Sequence, residues 1–82
     1  MMMIYKSEKT KVLKAIEKAT GIKCDITGMG WNEHNDDPLL DGSFVEAKLE
    51  CCDSKTGRFV GYVILQIVLF DRRRSWVSGV LA

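Results

Sequence analysis

Twelve consecutive residues, 59–70, are almost all apolar. Successive side chains of a β-strand point to opposite faces, so as a strand this run would be apolar on both faces. One face would carry Phe59, Gly61, Val63, Leu65, Ile67 and Leu69, and the other Val60, Tyr62, Ile64, Gln66, Val68 and Phe70. Such a strand needs cover on both sides.

The N-terminal part of the chain has the periodicity of an amphipathic helix. Apolar residues recur at helical spacing, namely Val12, Ala15, Ile16 and Ala19. Lysines occupy much of the rest of the segment, at positions 9, 11, 14 and 18. Ser7 is suited to cap the N-terminus, and Gly21 is suited to end the helix in the left-handed conformation. The pattern predicts a helix over Glu8–Thr20, which could cover one face of the apolar strand.

Two further segments, Ile22–Thr27 and Ser43–Cys52, alternate between apolar and polar residues, as half-buried strands do. Ser75–Leu81 is predicted to be a last strand, weakened by Gly79. Between Ser43–Cys52 and the apolar run, residues 53–58 predict a hairpin loop in which Gly57 has a positive φ. The chain is therefore predicted to form one small α+β domain, residues 1–82, with one N-terminal amphipathic helix packed on a curved, mostly antiparallel four-stranded sheet.

Residues 28–42 show no sustained period and predict a long loop. Gly28-Met29-Gly30 at its start predicts a turn, because a phosphate-binding glycine motif needs a third glycine and a following helix. The acidic residues of the segment do not follow a calcium-loop pattern, since Pro38 interrupts them. Long loops in small domains are usually functional or disordered.

Charge is distributed unevenly along a chain of net charge +1. Residues 1–23 carry six lysines and two glutamates, and residues 54–82 carry five basic residues and one aspartate. Residues 24–53 carry eight acidic residues and one lysine. Such a surface could steer a charged partner, although the segments could also interleave in space and cancel.

The cysteines and the histidine do not form a recognised metal-binding or catalytic site. Cys51 and Cys52 are adjacent and point to opposite faces of a strand, so they cannot easily share a metal with Cys24 or His34. We expect no metal, no cofactor and no catalytic residue. Three cysteines without a secretory signal favour reduced thiols in the cytoplasm, and the apolar run is too short for a membrane span of roughly 20 residues.

Aromatic and arginine side chains mark the candidate binding surfaces. We expect a partner-binding surface made of Trp31, Asp36, Asp37, Arg72, Arg73 and Arg74. We also expect a homodimer interface made of Val60, Tyr62, Ile64, Val68 and Phe70. Trp31 could instead plug the core.

The sequence favours a small non-catalytic protein, an inhibitor or adaptor that acts by protein–protein contact. Its size and lack of motifs are typical of accessory proteins of phages and mobile elements. The alternative is a nucleic-acid-binding protein that uses Arg72–Arg74, with Trp76 stacking on a base and the helix lysines extending the patch.

Overall fold

One helix and four strands make up the computed structural model of the protein, which describes residues 4–33, 44–68, 71 and 73–82. They are α1 (Lys6–Thr20), β1 (Cys24–Glu33), β2 (Phe44–Asp53), β3 (Phe59–Val68) and β4 (Ser75–Leu81). The strands form an antiparallel sheet in the order β1-β2-β3-β4. The predicted α+β class and the predicted antiparallel four-stranded sheet are confirmed.

The helix begins two residues earlier than predicted, at Lys6. Tyr5, and not Ser7, is the N-cap, because the Glu8 carboxylate accepts the Tyr5 backbone N–H at 2.8 Å. At the other end Gly21 has φ 76° and donates its N–H to the Glu17 carbonyl at 2.7 Å, as predicted for a glycine that ends a helix.

The core lies between α1 and one side of the sheet, called the helix side below. Val12 and Ile16 of α1 are fully buried there. The strands contribute Cys24, Val45, Ala47, Leu49, Cys51, Val63, Leu65 and Ile67. The Lys11 ammonium group donates to the carbonyl and the hydroxyl of Ser75, at 2.8 and 2.9 Å, and so ties the helix to the start of β4.

Strand β1 continues through Gly28 and Gly30 to Glu33, so the predicted turn at Gly28 is wrong. The register between β1 and β2 shifts between Ile26 and Gly28, which leaves Thr27 as the extra residue of a bulge. The bulge shifts the alternation of the two faces by one position. A pattern with a strict period of two therefore does not indicate the full length of β1. Residues 34–42 of the predicted loop lie outside the described residues.

The β2–β3 hairpin has the predicted loop, in which Gly57 has φ 74° and the Asp53 carboxylate accepts the Lys55 N–H at 2.8 Å. A second bulge follows it. Phe59 pairs with Cys52, the next pair joins Gly61 to Cys51, and Val60 packs against the core cluster. The predicted grouping of Val60 with Tyr62 and Ile64 is thus wrong at this end of β3.

Candidate interaction surface

The side of the sheet that faces away from α1 is called the open face. Residues directly opposite each other on antiparallel strands share a face, so the register identifies its members. On β2 and β3 the pairs are Glu50 with Tyr62, Lys48 with Ile64, and Glu46 with Gln66. On β4, Leu81 lies opposite Tyr62, Gly79 opposite Ile64, and Trp76 opposite Gln66.

Large apolar side chains run along the β3–β4 half of the open face. This apolar stripe consists of Phe59, Tyr62, Ile64, Trp76 and Leu81. Phe59 and Leu81 are each 55% exposed and Trp76 is 44% exposed. The Phe59 and Tyr62 rings pack in a tilted pair with centroids 5.0 Å apart. The stripe therefore offers ordered apolar surface to solvent.

The β1–β2 half of the same face is acidic. Asp25, opposite Cys52, joins Glu46 and Glu50 in what is called the acidic flank. Since Glu46 is level with Gln66 and Glu50 with Tyr62, the flank follows most of the length of the stripe. The Glu50 carboxylate accepts the Thr27 hydroxyl at 2.7 Å, which helps to fix its position.

Lys48 is the basic residue at the border between the two halves. Its ammonium nitrogen lies 4.2 Å from the centroid of the Tyr62 ring. A cation over an aromatic face is attracted by the ring quadrupole, so this contact holds Lys48 toward the stripe. The open face is consequently divided across its width into an apolar half and an acidic half.

Two arginines of the predicted partner-binding surface lie in the β3–β4 connection. Arg73 and Arg74 are exposed, the Arg73 side chain by 91%. The Arg73 guanidinium donates to the Asp71 carboxylate at 3.2 Å, and this hydrogen bond lowers the pKa of Asp71. The other charged members of that predicted surface, Asp36, Asp37 and Arg72, lie outside the described residues.

Trp31 lies on the other side of the sheet. It pairs with Ala47, is half-buried and packs against the core cluster. The structure therefore does not bring Trp31 together with the apolar stripe. The bulge at Thr27 is the cause, because it sets which side of β1 each later residue occupies.

The residues of the predicted dimer interface have different environments. Tyr62 and Ile64 are half-buried on the open face, whereas Val68 is only 6% exposed and Val60 contacts the core. Phe70 lies outside the described residues. Sequence reasoning omitted Phe59 and Leu81 from the candidate surface. Only the strand register, which depends on the bulges, could have placed them beside Tyr62.

The thiols divide between the two sides as the alternation predicts. Cys51 is fully buried with Leu49 and Val45, and burial raises its pKa to about 11. Burial also raises the pKa of Cys24. Cys52 is half-buried on the open face, with its sulfur 3.2 Å from the Thr27 hydroxyl oxygen. Among the described residues, no group of three His, Cys, Asp or Glu could hold a metal ion. His34 is not among them.

A groove of about 410 Å³ lies between the start of α1 and the edge strand β1. Ile4, Leu13, Ile26 and Met29 supply most of its apolar lining. Met29 is 40% exposed, so the helix side also offers some apolar surface at its margin. This margin provides a natural control surface for experiments on the open face.

No protein family, curated protein or solved structure matches this chain. The described residues contain no helix that is long and apolar enough to cross a membrane.

Proposed function

We propose that this protein is a non-catalytic binding protein that contacts another protein through the open face of its sheet. The observation that carries the proposal is the exposure of Phe59, Trp76 and Leu81 along one apolar stripe. Contiguous apolar patches with a polar rim mark interaction sites in small proteins. Aromatic side chains in such patches are frequent anchors of binding energy.

The surroundings of the stripe favour a protein over a nucleic acid. The acidic flank lies beside the apolar residues along most of their length, and carboxylates repel a phosphate backbone. Arg73 and Arg74 near Trp76 favour the alternative, because guanidinium groups bind phosphate and indole rings stack on bases. They occupy one end of the face, however, whereas the acidic residues extend along it.

A small scaffold with one flat working surface suits an inhibitor or adaptor. The sheet is held from the helix side by a continuous core, so the open face is presented on rigid strands. Burial raises the pKa values of Cys24 and Cys51, so these two thiols are poor nucleophiles. Free thiols fit a reducing cytoplasm, where we place the protein.

Two matched double variants test the proposal. Trp76→Ser with Leu81→Ser removes exposed apolar side chains from the open face, and Ile22→Ser with Met29→Ser removes a comparable set elsewhere. Tagged wild-type and variant proteins are used to capture partners from nuclease-treated lysate of the source cells, with quantitative mass spectrometry. Circular dichroism confirms that each variant is folded. We expect a protein that is captured by the wild type and the control variant and lost with the open-face variant.

The same proteins separate the two classes of partner. Retention on DNA and RNA columns that falls with salt and with Arg73→Ala plus Arg74→Ala would support the nucleic-acid alternative. If no captured protein depends on Trp76 and Leu81, the proposed function is wrong.

A further inference from the structure

The charge pattern of the open face indicates what kind of protein surface it accepts. Resting on the function proposed above, we infer that the open face binds a basic amphipathic helix of the partner protein. The apolar side of that helix lies on the apolar stripe. Its lysine or arginine residues lie over the acidic flank.

The dimensions of the stripe fit a helix of ordinary length. Trp76 and Leu81 lie opposite Gln66 and Tyr62, which are four residues apart on β3, or about 13 Å at the rise of a strand, and Phe59 extends the stripe beyond Leu81. An α-helix covers about 16 Å in three turns. Two or three apolar residues at helical spacing on the partner would therefore contact Trp76, Ile64 and Leu81 in turn.

The acidic flank sets the charge of the partner. Asp25, Glu46 and Glu50 lie on the β1–β2 half of the face, and Lys48 is the one basic residue among the described side chains there. Lys48 already lies over the Tyr62 ring. A helix seated on the stripe would carry one longitudinal row of side chains above this flank, and basic residues in that row would be complementary.

A helix covers this surface better than an extended peptide does. An added strand pairs with the edge of a sheet, whereas the stripe lies on its face, among β3 and β4 side chains. The same four strands already bind one amphipathic helix on the opposite side, where Val12 and Ile16 are fully buried. A second helix would complete a layered arrangement of helix, sheet and helix.

The charge pattern disfavours a second copy of this chain as the occupant. If two open faces met with β3–β4 over β3–β4 and the faces fully overlapped, the acidic flanks would also face each other. If the apolar half met the acidic half, carboxylates would be buried against apolar side chains. An offset pair would join only the two stripes and would leave both acidic flanks outside the interface.

The experiment is an unbiased selection of ligands for the open face. A displayed library of helix-forming peptides of about 18 residues, randomised at all but the helix-favouring alanine positions, is selected on the folded protein. We expect the selected peptides to carry apolar residues at helical spacing and an excess of Lys and Arg along one side.

Two measurements on the selected peptides test the orientation. Trp76→Ser with Leu81→Ser should weaken binding about tenfold or more, whereas Ile22→Ser with Met29→Ser should leave it unchanged. Asp25→Asn with Glu50→Gln should slow association about threefold to tenfold at low salt, and Glu17→Gln at an exposed position of α1 should not. The charge effect should fade as salt is raised.

The possible outcomes separate the inference from the proposed function. Peptides that need Trp76 and Leu81 but show no basic preference would overturn the inference and leave the proposed function standing. Sedimentation velocity that shows a micromolar dimer, lost on Trp76→Ser with Leu81→Ser, would assign the face to a second copy and also overturn it. If no selected peptide depends on the open face, the inference is wrong. The proposed function is tested separately: it is refuted if no protein captured from the lysate depends on that face.

Discussion

The two sides of the sheet differ in how completely the chain itself buries them. On the helix side, Val63, Leu65 and Ile67 of β3 are fully buried under α1. On the open face, Tyr62 and Ile64 of the same strand keep part of their surface, and Trp76 and Leu81 beside them are exposed. Neighbouring residues of one strand therefore have different environments. Helix-side residues are buried in the core, and open-face residues keep surface exposed to solvent.

The largest effect is expected from a direct test of this division within β3. Leu65→Ala removes a fully buried side chain and should lower the free energy of unfolding by about 2–5 kcal/mol. Ile64→Ala on the open face should lower it by about 1 kcal/mol or less, because the side chain is already partly solvated. Urea titration of both variants measures the difference. Equal losses would show that the open face contributes to the core as much as the helix side does.

Glycine positions give the next comparison. A methyl group at Gly61 would lie 2.5 Å from the Leu81 carbonyl oxygen and 2.8 Å from the Ala82 Cα, both backbone atoms. We expect Gly61→Ala to destabilise the protein by about 1–3 kcal/mol. Gly30→Ala is the control, since its Cβ would have no neighbour within 4 Å, and its effect should stay within about 0.5 kcal/mol. Thermal unfolding of the two variants should rank them in that order.

Two lysines extend the comparison to polar contacts. Lys11→Met removes the hydrogen bonds to Ser75 that join α1 to β4, which should reduce the free energy of unfolding by about 1–2 kcal/mol. Lys48→Met removes the contact with the Tyr62 ring, and a change of about 0.5 kcal/mol or less is expected. Chemical denaturation under identical conditions measures both. A larger loss for Lys48 would contradict a purely surface role for its side chain.

The smallest effects concern the adjacent thiols, one on each side of the sheet. Cys52 should react with iodoacetamide before Cys51, which is fully buried. The pKa of Cys51 is raised from 9.0 to about 11, so between these pH values the unfolded thiol loses its proton first. The native state then binds more protons, and stability falls as pH rises through this window. Mass spectrometry of labelled peptides measures the order in which the thiols react. The difference in urea midpoint between the wild type and Cys51→Val, taken at pH 9 and at pH 10.5, measures the effect of pH on stability.

The sequence predicts most of the helix side and little of the open face. Val63, Leu65 and Ile67 follow a plain alternation, as do Val45, Ala47, Leu49 and Cys51 on β2, and all are buried as predicted. Helical spacing of Val12 and Ile16 likewise identified the α1 residues that meet them. Burial imposes periodicity, and periodicity is visible in a sequence.

Bulges explain the errors. Thr27 and Val60 are bulge residues, and each interrupts the period of two. For this reason β1 was predicted to end too early, and Val60 was predicted to share a face with Tyr62 and Ile64. Trp31 was expected at a binding surface or in the core, and its position follows only once the bulge at Thr27 is known. Exposed residues such as Phe59 and Leu81 need not follow the periodicity that burial imposes. The residues that lie beside them are therefore set by the register between the strands.

Each neighbouring strand pair contains one register shift, at Thr27, beside Val60, and at Ser78, where Ile64 pairs with Gly79 and Leu65 with Val77. An extra residue at such a point is absorbed locally, and the residues on either side keep their faces. Homologues of this protein should therefore tolerate single-residue insertions and deletions at these three points more readily than elsewhere in the strands. Length differences at these positions would change the spacing of surface residues without moving Leu49 or Leu65 out of the core.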